Sequence, residues 1–88
     1  MASIKNLKKD VNFILADIIE DCLIWQLENP KKDAEESEKI ISDSIDTFDQ
    51  MIVRINEKGV ENKKVHFRAI VKDLKESVGS LLERVNKL

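Results

Sequence analysis

The sequence predicts an all-α fold, an up-down-up antiparallel three-helix bundle. Three observations carry that expectation. Apolar residues recur at steps of three and four over most of the chain, the spacing of one helix face. Residues that break helices are few, with one proline and two glycines in 88 residues. The segments between the periodic stretches are short, which places consecutive helices antiparallel and adjacent. The expected helices span about 4–28, 34–58 and 62–87, in a single domain over 1–88.

In the first stretch Ile4, Leu7, Val11, Ile14, Ile18, Cys22 and Trp25 share one face. Ser3 is the expected N-cap, and Asn29-Pro30 ends the helix because a residue before proline leaves the α region. In the second, Asp33 and Glu36 have the spacing of a capping box, and Glu35, Glu36 and Glu38 suit the positive end of a helix dipole. Ile41, Ile45, Phe48, Ile52 and Ile55 form its expected core stripe, and Gly59 fits a left-handed position just past its end. In the third, Phe67, Val71, Leu74, Val78, Leu81, Val85 and Leu88 alternate steps of four and three, with Asn62 as N-cap. Gly79 lies inside this helix and off its apolar stripe. The near-heptad steps predict shallow crossings of about 20°.

Composition narrows the function. Charged residues make up 36% and hydrophobics 42%, with a net charge of −2. An acidic chain does not read as a nucleic-acid binder over its whole surface. One cysteine makes no internal disulfide, which points to a reducing compartment. Charges interrupt the N-terminal apolar run, so neither a signal peptide nor a membrane span is expected, and the cytoplasm is the expected location.

Little supports catalysis. Cys22 and His66 are the only possible Cys–His pair, and the predicted topology puts them at opposite ends. Zinc needs several Cys or His ligands, and the chain holds one of each. A di-metal bundle needs Glu three residues before His, where Lys63 precedes His66. Asp43, Asp46 and Asp49 fall off the apolar stripe and read as a solvated face, and no Gly-rich phosphate loop exists. Neither a catalytic residue, a metal ligand nor a cofactor is expected.

Two features stand above this background. The first is a charge gradient. In the predicted topology residues 1–12 and 50–70 share one end and carry a net +5, while the rest nets −7. Lys5, Lys8, Lys9, Lys63, Lys64 and Arg68 at that end are a candidate anion-binding set, for phosphate, an acidic partner or RNA. Long solvated helices also scatter charge unevenly, and no exposed Tyr or Trp offers bases a stacking platform there. The second feature is surplus apolar surface on the first helix. Phe13, Ile24 and Leu27 point away from its core stripe, and a cluster of such groups marks an interface.

The runs SIKNLKKDVNFILADIIEDCLIW and VENKKVHFRAI resemble a family of short helical proteins from the Bacteroidetes. The resemblance covers nearly the whole chain and rests on overall pattern. It implies a small bacterial, cytoplasmic, all-α protein and transfers no functional residue. The expectation is therefore a non-enzymatic interaction module whose partner is another copy of itself or a second protein. The alternative is an anion- or nucleic-acid-binding module.

Overall fold

The computed structural model describes residues 4–88 as three helices, α1 (Ile4–Glu28), α2 (Glu35–Ile55) and α3 (Lys63–Asn86). The helices pack pairwise into a rod of 51 × 18 × 18 Å. Ser3, the expected cap of α1, lies outside the described residues.

Local chemistry sets each helix end. Asn29 returns to α1, and both its backbone N–H and its side-chain amide donate to the Trp25 carbonyl, at 3.0 and 2.9 Å. The expected capping box of α2 does not form. Ala34 is the N-cap, and Asp33 sits one residue outside, accepting from the Glu35 N–H at 2.9 Å. Glu36 turns instead toward α3. α2 also stops three residues earlier than expected, at Ile55. Gly59 has the left-handed φ of +74°, but within the following turn rather than at the helix end. Asn62 caps α3 as expected, accepting from the Val65 N–H at 3.2 Å.

The core comes from all three helices: Leu7, Val11, Leu15, Ile18 and Cys22 of α1, Ile40, Met51 and Ile55 of α2, and Ile70, Leu74 and Leu81 of α3. All three expected stripes are displaced, α3 least, where Ile70 is fully buried although it lay outside the expected stripe. In α1, Leu15 takes the buried place expected for Ile14, and Ile4 and Ile14 are exposed. In α2 the buried line runs Ser37, Ile40, Ser44, Met51, Ile55, so the helix is rotated from the all-isoleucine face. Ile41, Phe48 and Ile52 become the flank of the core, and Ile45 is half exposed beside a shallow groove against Leu15 and Ile19.

The rotation is possible because both buried serines are satisfied. Ser44 donates to the Ile40 carbonyl at 2.7 Å. Ser37 donates to the Ala34 carbonyl at 2.9 Å and accepts from Gln26 of α1 at 2.8 Å. Buried hydroxyls with partners cost little, and their small size lets the helices approach. The rotation also turns one edge of α2 toward the polar flank of α3. Arg54 pairs with Asp73 at 2.8 Å, and Arg84 pairs with Asp43 at 2.7 Å and Glu36 at 3.4 Å.

Candidate functional site

The outer face of α1 holds the three residues expected at an interface. Phe13 is 56% exposed, Ile24 43% and Leu27 81%. Leu23, 48% exposed, joins them. The exposed positions Lys9, Phe13, Ala16, Glu20, Leu23 and Leu27 step by four and three in alternation. That is the spacing of a coiled-coil seam, with charged residues at two of its six positions. It lies on the side of α1 opposite the buried line Leu7, Val11, Leu15, Ile18, Cys22. α1 therefore carries two seams, of which only one is used inside the chain. The outer one was hidden in the sequence because Lys9 and Glu20 interrupt it. Lys9 is not idle there, since its ammonium lies 5.7 Å from the centroid of the Phe13 ring.

The charged end is assembled by the fold. The start of α1, the turn after α2 and the start of α3 meet around an open cleft of about 470 Å³. Its apolar floor includes Ile4, Ile55, Val60 and Phe67, and Lys58 and Lys63 stand at its sides with Glu57. Of the candidate anion-binding residues only Lys63 lines this cleft. Lys5, Lys9, Lys64 and Arg68 are exposed around the same end, and Lys8 is half-buried. Lys58 was absent from the expected set and belongs with Lys63.

His66 also lines the cleft, and the sequence alone does not show what its ring bonds to. The structure gives it a partner. Its Nε2 lies 2.7 Å from the Arg54 carbonyl oxygen, and the Glu57 carboxylate is 3.8 Å away. An imidazole with its proton on Nε2 donates to that carbonyl, which also accepts from the Glu57 N–H at 3.3 Å. His66 thus fastens the end of α2 to the start of α3.

Cys22 is fully buried. Burial first, and then the nearby Asp21 carboxylate, push its thiol pKa above the ordinary value. A thiol so placed is a poor nucleophile. Among the described residues no cluster of three or more His, Cys, Asp or Glu side chains is placed to hold a metal ion. Among them, too, no helix is long and apolar enough to cross a membrane.

The chain matches no family model, no curated protein and no solved structure.

Proposed function

We propose that the protein is a non-enzymatic helical interaction module of the bacterial cytoplasm that associates through the outer face of α1. The observation that carries this reading is the second apolar seam, with Phe13, Leu23, Ile24 and Leu27 all exposed on one side of one helix. Scattered single apolar residues are ordinary on a protein surface, but several large ones on one side of one helix favour a covered state. Self-association is the simplest form of that covering. The test is sedimentation of the wild type and of Phe13→Glu. The variant is expected to lose any assembly while keeping its helical circular dichroism, because Phe13 contributes nothing to the core.

A second reading rests on the basic end. Lys58 and Lys63 beside the cleft, with Lys5, Lys8, Lys9, Lys64 and Arg68 around it, would attract a phosphate-rich or acidic ligand. Its mark is an affinity for polyphosphate or RNA that falls with salt and with removal of these lysines. Absence of binding to either at low salt removes it.

A further inference from the structure

The outer seam of α1 also has a direction. Its charges oppose the dipole of its own helix, with no acidic residue in the first turn and no basic residue in the last. Lys5, Lys8 and Lys9 crowd the N-terminal end, while Glu20, Asp21 and Glu28 occupy the C-terminal half. Of the neighbouring helices, α2 adds to this polarity, and α3 adds to it at its start while Arg84 of its last turn partly offsets it by pairing with Glu36 and Asp43. α2 runs the other way and sets Glu35, Glu36 and Glu38 of its first turn at the acidic end of α1. α3 sets Lys63 and Lys64 at the basic end. The separation of charge therefore runs along the 51 Å length of the rod. A second copy turned end for end brings each basic end onto an acidic one. A parallel copy brings like onto like.

We propose that two copies pair antiparallel along this seam, an inference that rests on reading the outer face of α1 as an association surface. The two-fold axis passes between Ala16 and Glu20. This register alone uses all six seam positions. It sets Phe13 of each copy against Leu23 of the other, and Lys9 against Leu27. Sliding by one heptad in either direction loses both Phe13–Leu23 pairs. Lys9 of each copy then lies at the end of the seam that carries Glu28 of the other. The Lys9 stem covers Leu27 while its ammonium reaches solvent and that carboxylate. Glu20 faces Ala16, whose small side chain leaves the carboxylate room to reach the rim. One polar residue near the centre of such a seam fixes the register and lowers affinity.

Orientation and register are tested by a spin-label distance. Lys5→Cys is made with Cys22→Ala and labelled, so that each chain of the dimer carries one label. Twenty-six residues separate the two labelled positions along the seam, so the antiparallel register predicts a main distance of about 40 Å at 1.5 Å per residue. A main distance below about 30 Å overturns the arrangement and leaves the α1 interface standing. A wild-type chain that sediments as a monomer at several hundred micromolar overturns both. Glu20→Leu provides a second readout. Filling the polar step of the seam should tighten the dimer at least tenfold, and an unchanged or weaker dimer overturns the proposed register.

Discussion

Single residues show where this chain departs from a regular helical repeat and why. Gly59 is needed for its backbone, since a φ of +74° strains any L side chain even with no atom within 4 Å of a Cβ placed there. Gly79 has no such reason. A Cβ at that position also meets nothing within 4 Å, and the residue lies within α3. Thermal or urea unfolding should therefore separate the two glycines. Gly79→Ala is expected to stabilise by about 1 kcal/mol, and Gly59→Ala to destabilise by about 1 kcal/mol. Cys22 gives a chemical prediction. Its thiol should resist disulfide-exchange reagents in the native protein and react readily in denaturant. Its folded pKa lies above that of a free thiol, because burial disfavours the thiolate. At pH values between the two, the native state keeps a proton that the unfolded chain releases, so the contribution of Cys22 to stability falls as pH rises past about 9.

The helices were legible in the sequence to different degrees. In α3 the bounds were legible and Asn62 marks the start, but the expected stripe left out Ile70, which is fully buried while the adjacent Val71 is only half-buried. In α1 the bounds were clear but the buried line was not. Ile14 and Leu15 are adjacent and equally apolar, and only packing against two neighbours chooses Leu15. α2 was the hardest. Its isoleucines invite one face, yet the helix buries Ser37 and Ser44 because each hydroxyl has a carbonyl to donate to and fits a close approach. Periodicity of apolar residues does not detect a core position held by serine. The rotation also makes Arg84 an organising residue that the sequence reading left out. It holds Asp43 and Glu36, although both carboxylates are more than half exposed. Surface pairs of this kind are weak, so Arg84→Ala is expected to cost roughly 1 kcal/mol. A double-mutant cycle with Asp43→Asn should show part of that cost as coupling. By contrast Ile40→Ala, which empties a fully buried site in the same helix, should cost about 2–5 kcal/mol.

The whole molecule combines an apolar core shared by three helices with an exposed apolar face on α1 and a charge gradient along the rod. The candidate interface was partly legible, since Phe13, Ile24 and Leu27 stood out as surplus apolar residues. Its continuity was not, because Lys9 and Glu20 break the apolar pattern and only the three-dimensional face joins Phe13 to Leu23 and Leu27. The charge gradient was visible in the sequence once the topology was assumed, and the antiparallel packing of the helices gives it a physical axis. The two features make one joint prediction. Association through the outer seam should loosen by severalfold between about 20 mM and 0.5 M salt, because screening removes the end-to-end attraction and spares the apolar contacts. Core and interface are separate, so interface variants should leave the unfolding transition of the isolated chain nearly unchanged.

Sedimentation equilibrium of the wild-type chain beside Phe13→Glu, from tens to several hundred micromolar, tests the central claim most directly. The account predicts a wild type that moves from monomer toward dimer across that range, and a Phe13→Glu variant that stays monomeric with unchanged helicity. A wild type that remains a monomer throughout, or a variant that assembles as well as the wild type, would contradict it.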